Sequence, residues 1–261
     1  MSEGETSLDG ISFIRHPCTF MRAFDQRSEE LEHIDKGDYT FEEYEGCMVE
    51  LRRVNRFLGD AEAIRRSLNR ETRHFPLNEI SLLDVGAGTG ELLRVVARWA
   101  EKKGERARLV GLELNSRSAC GIREESTGFS EISAIRGDAL RLPFDNGSFE
   151  FAICSLFTHH LKNEDVIVVL RELKRIARRR VFVIDLFRHP VAYLLYTTIG
   201  RLFLYNRLLR EDGALSILRS FRPDELRHLA EEAKLTNVRV ERRFPFRLVL
   251  SASGSRDEVG I

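Results

Sequence analysis

The chain of 261 residues has few cysteines and no cysteine spacing typical of a metal site. Its four cysteines are far apart, with neither a CxxC pair nor the histidine-rich spacing of a metal site. This pattern excludes a disulfide framework and the usual kind of structural zinc site. We therefore expect no bound metal and a reducing, cytoplasmic location.

Long apolar runs and an excess of charge are also lacking. The longest apolar stretch, 191–204, is interrupted by two threonines, a glycine and Arg201, and it is shorter than the ~20 residues that a membrane-spanning helix needs. The acidic, polar N-terminus does not resemble a secretory signal. Because 41 Lys and Arg balance 41 Asp and Glu, no overall field favours a polyanion. We expect no transmembrane segment and no nucleic-acid partner.

Helical patterns begin the chain after a loose tail of about a dozen residues. In segment 40–58 apolar residues recur at three- and four-residue steps, Thr40 and Glu43 form a capping box, and Gly59 suits the C-terminal stop. The apolar residues of this stripe are Tyr44, Cys47, Met48, Leu51, Val54, Phe57 and Leu58. A second, short helix is predicted at 60–68, and Pro76 marks a loop.

From Ile80 onward, strand-like apolar segments alternate with helical patterns, which predicts parallel strands joined by crossover helices. The predicted strands are 81–85, 108–112, 131–135, 149–155 and 181–185. The predicted helices are 90–102, 164–177, an apolar insertion from Pro190 to about Leu209, and 222–234. Segment 238–251 is predicted to form two antiparallel strands that close the sheet.

A glycine-rich turn between a predicted strand and a predicted helix is the strongest local signal. It reads Leu82-Leu83-Asp84-Val85-Gly86-Ala87-Gly88-Thr89-Gly90-Glu91-Leu92-Leu93. Glycines let the backbone turn sharply and let a ligand approach where a Cβ would clash. A dinucleotide fingerprint is GxGxxG, and Glu91 stands where its third glycine would be. The GxGxG spacing therefore disfavours a nicotinamide cofactor.

Two more landmarks follow in order. The next apolar strand ends in Glu113, whose carboxylate can accept hydrogen bonds from both hydroxyls of a ribose. Its alternative role is a solvated acid at a helix start, which the helix dipole favours. The third landmark, Gly137-Asp138-Ala139, precedes Leu142-Pro143-Phe144-Asp145-Asn146-Gly147-Ser148-Phe149-Glu150.

In combination, the landmarks resemble the S-adenosylmethionine pocket of class I methyltransferases, and the third looks like a segment of the ubiquinone and menaquinone methyltransferase type. The resemblance is close over 80–185 and looser up to about 250. The whole chain is also similar to bacterial small-molecule methyltransferases found beside type III polyketide synthases. The resemblance implies a Rossmann-like α/β fold with a seven-stranded, mostly parallel sheet of order 3-2-1-4-5-7-6. It also implies an N-terminal helical extension and a helical insertion after strand 5.

The resemblance also implies S-adenosylmethionine as methyl donor and S-adenosylhomocysteine as product. The three turn glycines would shape the methionine side, Glu113 would hold the ribose, and Asp138 with Ala139 would contact adenine. The implied cofactor-binding residues are Asp84, Gly86, Ala87, Gly88, Thr89, Gly90, Glu113, Leu114, Asp138, Ala139 and Ser155.

The segment after the fourth predicted strand, Cys154-Ser155-Leu156-Phe157-Thr158-His159-His160-Leu161, is where the acceptor is expected. It has neither the tetrapeptide typical of nucleic-acid amino methylation nor the Pro-Cys pair of cytosine C5 enzymes. His159 and His160 are candidate catalytic bases, because each can take a proton from a phenol or hydroquinone near neutral pH. The alternative is that one packs under the cofactor and the other caps the next helix. Asp185, at the end of the fifth strand, is predicted to support groups at the pocket mouth.

The N-terminal helices and the insertion are predicted to form a lid, because pockets of such sheets open at the carboxyl ends of the strands. Tyr193 and Tyr196 are the predicted acceptor contacts of an apolar wall, and Arg219 is predicted to hold an acceptor oxygen or carboxylate. The alternatives are a helix packed on the sheet edge or a dimer face, and an ion-paired or surface arginine. The basic residues Arg175 and 178–180 are interpreted as a solvated helix end.

Residues 1–78 are thus predicted to form a tail with lid helices, and residues 79–255 a methyltransferase domain with an insertion at 189–222. The predicted function is methyl transfer to oxygen or carbon of a small aromatic, quinol or lipid-like acceptor. We expect a monomer or homodimer with at most weak contact to a membrane surface. The alternatives are a catalytically silent fold that recruits a partner or a membrane surface, and the disfavoured NAD-dependent oxidoreductase.

Overall fold

The computed structural model describes residues 17–55, 58–74, 77 and 79–255. The predicted tail, Phe57 of the predicted apolar stripe and Pro76 lie outside the described residues. The described chain divides into two units. The first, here called the helical unit, runs to Arg52 and includes Arg188–Ser220. The second, the sheet unit, comprises the described residues of Arg53–Phe187 and those from Phe221 onward.

The sheet unit holds a seven-stranded sheet of order β3-β2-β1-β4-β5-β7-β6. Its strands are β1 Glu79–Val85, β2 Arg106–Glu113, β3 Ile132–Arg136, β4 Phe149–Ser155, β5 Ala177–Leu186, β6 Arg239–Arg243 and β7 Arg247–Ser253. Strands β1 to β5 pair in parallel, whereas β7 pairs antiparallel with β5 and β6. The predicted strand order and the closing hairpin are both confirmed.

Helices cover both faces of this sheet, which explains its nearly continuous apolar strands. In β1, Ile80 and Leu82 lie in one buried cluster, while Leu83 and Val85 lie in the other, because successive side chains point to opposite faces. The helices of the sheet unit are α4 Asp60–His74, α5 Glu91–Lys103, α6 Ser116–Glu125, α7 Asn163–Ile176 and α10 Pro223–Glu232. The first of these is longer than the predicted helix at 60–68.

Interpretation of the basic run as a solvated helix end is wrong for its second part. Arg178 and Arg179 lie on β5 and pair with Glu150 at 3.0 and 2.7 Å. Arg180 pairs with Glu71 at 3.0 Å. These arginines therefore join elements within the sheet unit, and β5 begins at Ala177 rather than at the predicted 181.

The helical unit contains α1 Pro17–Arg22, α2 His33–Lys36, most of α3 Phe41–Asn55, α8 Pro190–Thr198 and α9 Arg207–Arg219. The predicted capping box is present, since Thr40 and Glu43 exchange backbone-to-side-chain hydrogen bonds of 2.9 and 3.2 Å. The insertion is two helices rather than one, because the chain turns after α8 and Asn206 caps α9. None of the described helices is long and apolar enough to cross a membrane.

Candidate active site

The glycine turn follows β1 directly and adopts backbone conformations that suit glycine. Gly86, Gly88 and Gly90 have φ angles of 70°, 57° and 78°, which lie in the left-handed region. A Cβ on Gly86 would lie 2.6 Å from the Phe157 ring, whereas a Cβ on Gly88 would have no atom within 4 Å. The turn is therefore packed at Gly86 and open at Gly88, the side from which a ligand can approach.

Glu113, the last residue of β2, is bound to this turn. Its Oε1 accepts a hydrogen bond from the Gly88 N–H at 2.6 Å. Burial raises the pKa of Glu113, while the backbone hydrogen bonds of Gly88 and Leu114 oppose that rise. The carboxylate lies half-buried beside the open face of the turn, where its remaining lone pairs can accept from a ligand.

Asp84, next to last in β1, is a buried carboxyl group with an unsatisfied atom. Its residue is 2% exposed, and its Oδ1 has no hydrogen-bond partner among the described residues. Burial, and then the charge of Glu113, raise the pKa of Asp84 well above its usual range. A buried acceptor without a hydrogen-bond donor is costly, so an N–H or O–H group of a bound ligand would stabilise this atom.

Of the other predicted cofactor contacts, Asp138 is exposed and Ala139 half-buried, in the loop after β3. The Asp138 Oδ1 accepts from the Leu140 N–H at 2.9 Å, which holds the loop. Ser155 ends β4 and is half-buried, and Leu114 is exposed beyond β2. Strands β3, β2, β1 and β4 are neighbours in the sheet, so these residues all follow the carboxyl ends of adjacent parallel strands.

A short turn of 3₁₀-helix, Thr158–His160, follows β4 and carries both predicted histidines. His159 is buried, and its Nδ1 lies 2.6 Å from the Oδ1 of Asp185, next to last in β5. His160 is half-buried, and its ring lies against that of His159 with a centroid separation of 4.2 Å. His159 therefore contacts a buried carboxylate.

Asp185 is held by several hydrogen bonds that the sequence does not predict. Its residue is fully buried, and its carboxylate accepts hydrogen bonds from Thr158, His159 and Leu186. Burial alone would raise the pKa of Asp185, but the charge of His159 and these hydrogen bonds lower it to about 2. The available sequence signal is a lone carboxylate at the end of the apolar run Val181-Phe182-Val183-Ile184.

Cys154 lies fully buried in β4, as the sequence predicts. Burial, followed by the charges of Asp185 and Asp84, raises the pKa of its thiol well above the usual range. The thiol therefore stays protonated and packs in the core.

The predicted acceptor contacts lie in the helical unit. Tyr193 packs its ring against Phe24, with centroids 5.7 Å apart. The Tyr196 hydroxyl donates to the Leu209 carbonyl, and burial raises the pKa of this phenol. Arg219 is buried, donates to the Glu30 carbonyl and accepts on its own carbonyl a 2.7 Å hydrogen bond from Arg27.

The donor side fits S-adenosylmethionine. Its amino group would supply the donor that Asp84 lacks, its ribose hydroxyls match Glu113, and the open face at Gly88 has room for a close approach. A methyltransferase domain family matches residues 82–180, which span β1 to the start of β5. With the sheet order and the glycine turn, this match shows a methyltransferase domain with the fold of the class I enzymes, and the chain is a methyltransferase that depends on S-adenosylmethionine.

Among particular proteins, the chain is similar to the demethylmenaquinone methyltransferase of Bacillus velezensis. The two are 29% identical over 172 residues, which cover 60% of this chain and 71% of that protein. A methyltransferase structure from Aquifex aeolicus matches with a TM-score of 0.53 and 18% identity over 76% of this chain and 91% of that one. Human N-acetylserotonin methyltransferase matches with a TM-score of 0.59 and 14% identity over 90% of this chain and 62% of that one. These two structures confirm the fold.

Proposed function

We propose that this chain transfers the methyl group of S-adenosylmethionine to oxygen or carbon of a small aromatic, quinol or lipid-like acceptor. The observation that carries the proposal is the buried pair of His159 and Asp185 beside the glycine turn. Phe157, which packs on Gly86, lies two residues before His159. A base at this edge suits an acceptor whose hydroxyl must lose a proton. The name of the Bacillus relative favours a quinol-type acceptor.

Asp84, the turn 86–90 and Glu113 would hold the donor at the carboxyl ends of β1 and β2, with Asp138, Ala139, Leu114 and Ser155 around it. The bound donor supplies a methyl group on a sulfonium centre. The fixed turn orients that group, and orientation at near-attack distance supplies much of the rate of an in-line displacement. His159 or His160 takes the acceptor proton, which raises the nucleophilicity of the oxygen.

Tyr193, Tyr196 and Arg219 stay predicted acceptor contacts. Their described contacts stabilise the helical unit, so a change at Tyr196 or Arg219 must be read against the stability of that unit. A cytoplasmic location and a monomer or homodimer also stay predictions.

The test is an acceptor screen with the full-length protein and S-adenosylmethionine. The panel contains simple phenols, a hydroquinone and a naphthoquinol with and without an isoprenoid tail, and the readouts are S-adenosylhomocysteine release and product mass. We expect methylation of the quinols, and the Asp84→Asn variant serves as the donor-side control. Retained binding of S-adenosylhomocysteine without turnover of any of these acceptors would contradict the proposed acceptor class and favour the catalytically silent alternative.

A further inference from the structure

The carboxylate of Asp185 is saturated with donors on both oxygens. Oδ1 lies 2.6 Å from Nδ1 of the His159 ring and accepts from the Leu186 N–H at 2.8 Å. Oδ2 accepts from the Thr158 hydroxyl at 2.5 Å and from the His159 N–H at 3.1 Å. Two of these four bonds involve His159, so Asp185 holds both its backbone and its ring.

These contacts determine where the proton lies on His159. Three donors other than the imidazole ring, the Thr158 hydroxyl and the N–H groups of His159 and Leu186, favour the ionised form of Asp185. An ionised carboxylate only accepts hydrogen bonds. The ring nitrogen that faces it, Nδ1, must therefore carry a proton. When the imidazole is neutral, the lone pair is on Nε2, the nitrogen on the other side of the ring.

The four described bonds of Asp185 reach Thr158, His159 and Leu186. Of the two adjacent histidines, it is therefore the His159 ring that this carboxylate orients. The His160 ring lies beside it, with a centroid separation of 4.2 Å.

We propose that Asp185, supported by Thr158, is a positioning residue that fixes the Nδ1–H tautomer of His159 and so prepares His159 to act as the general base. This inference rests on the proposed function. His159 Nε2 takes the proton of the acceptor hydroxyl while the oxygen forms its bond to the methyl carbon. The electron pair of the broken carbon–sulfur bond stays on sulfur. Asp185 stabilises the imidazolium until its proton passes to solvent.

An asparagine at 185 cannot reproduce this arrangement, because an amide has one acceptor oxygen where the carboxylate has two. If the amide oxygen faces His159 Nδ1, the NH₂ group faces the His159 N–H, a donor against a donor. If the amide oxygen faces Thr158 and that N–H, the NH₂ group faces Nδ1 and favours the opposite tautomer. Asp185→Asn is therefore a nearly isosteric test.

The first experiment needs no acceptor. Nitrogen-15 NMR of the histidine ring nitrogens in the full-length protein reports the tautomer, and a spectrum of His160→Ala assigns the two rings. We expect neutral His159 with its proton on Nδ1 in the wild type, and loss of that single tautomer in Asp185→Asn. A wild-type proton on Nε2, or a ring that stays charged up to pH 9, would overturn the inference.

The second experiment compares two phenols, one with a pKa well above the assay pH and one with a pKa below it. We expect Asp185→Asn to lower kcat/KM for the first by about 10²-fold to 10⁴-fold, with a much smaller loss for the second, which is already deprotonated. Thr158→Ser keeps the hydroxyl and should retain more activity than Thr158→Val. Unchanged binding of S-adenosylhomocysteine controls for the fold.

The outcomes separate the two proposals. An equal loss with both phenols marks Asp185 as merely structural and contradicts the inference. A wild type that methylates neither phenol contradicts the proposed acceptor class, and the NMR tautomer then decides the inference alone.

Discussion

Two buried aspartates, Asp84 and Asp185, hold equivalent places in the sheet and have opposite surroundings. Each is next to last in its strand, β1 and β5, and these strands lie on either side of β4. Asp84 has an unpartnered Oδ1 and a raised pKa, whereas Asp185 accepts four hydrogen bonds and has a pKa lowered to about 2. Burial is shared, so the neighbouring charges and the hydrogen bonds make the difference: Glu113 raises the pKa of Asp84, whereas His159 and the hydrogen bonds lower that of Asp185.

The Asp84 carboxyl thus has an oxygen that a ligand could bind, whereas both oxygens of the Asp185 carboxylate are bound by neighbouring residues. Among the described residues, nothing donates a hydrogen bond to the Asp84 Oδ1, which agrees with the proposal that Asp84 binds the methyl donor. Both oxygens of Asp185 have described partners, and the proposed function of Asp185 is to orient one of them, His159.

The largest effect is expected from matched asparagine variants. Asp185→Asn breaks a buried charge pair and leaves at least one donor unsatisfied, so the free energy of unfolding should fall by about 3–5 kcal/mol. Asp84→Asn removes a buried charge that is costly to ionise, so at neutral pH it should keep or raise the free energy of unfolding. Urea unfolding without ligand measures both. Equal losses would show that the two sites do not differ as described.

A second pair of variants tests the packed and the open side of the turn. Gly86→Ala places a methyl group against Phe157 in a left-handed conformation, and should cost about 2–4 kcal/mol of stability. Gly88→Ala has the same backbone cost without a clash, about 1–2 kcal/mol. The smaller structural loss at Gly88 should be accompanied by weaker binding of S-adenosylhomocysteine. Intact affinity in Gly88→Ala would mean that the ligand does not approach there.

The pH dependence of stability should have opposite signs at the two aspartates. The lowered pKa of Asp185 stabilises the fold above the ordinary value of 3.8 and is lost as pH falls toward about 2, a contribution of about 2 kcal/mol. The raised pKa of Asp84 acts the other way, since its stabilising contribution is lost as pH rises from 3.8 through its folded pKa. The free energy of unfolding of each asparagine variant should be measured from pH 2 to 8. Each variant should lose the pH dependence of the aspartate that is replaced and keep that of the other.

The smallest effect is expected at Glu113. Glu113→Gln keeps an oxygen that can accept from the Gly88 N–H, so the turn should stay in place. Loss of charge should weaken hydrogen bonds to a ribose by about 1 kcal/mol, or fivefold in affinity. Titration with S-adenosylhomocysteine measures the loss, and the same titration with its 2′,3′-dideoxy form should show none. A similar loss with both ligands would remove Glu113 from the ribose.

The sheet order was predictable because its signals are contiguous in sequence, and the donor-side residues stay a prediction from the same kind of signal. The glycine turn and Glu113 each end an apolar strand, and parallel strands bring their carboxyl ends to one edge. The start of β5 was hidden because Arg178, Arg179 and Arg180 resemble a solvated segment until their carboxylate partners are known.

Other features depend on contacts between distant residues. Gly213 weakens the helical pattern of α9, yet a Cβ there would overlap the Tyr196 phenol, so packing within the helical unit explains the glycine. The pairing of Asp185 with His159 joins residues 26 apart. Periodicity cannot reveal such a contact, because it depends on how β4 and β5 are aligned.

The most direct test of the account is calorimetric titration of wild type and Asp84→Asn with S-adenosylhomocysteine, with NAD as control. We predict micromolar binding to the wild type, none of NAD, and an affinity that rises with pH as Asp84 ionises against the ligand's ammonium and releases a proton. Asp84→Asn should bind at least about tenfold more weakly and lose the proton release. Equal affinity and unchanged pH dependence in the variant, or comparable binding of NAD, would contradict the assignment of Asp84 to the methyl donor.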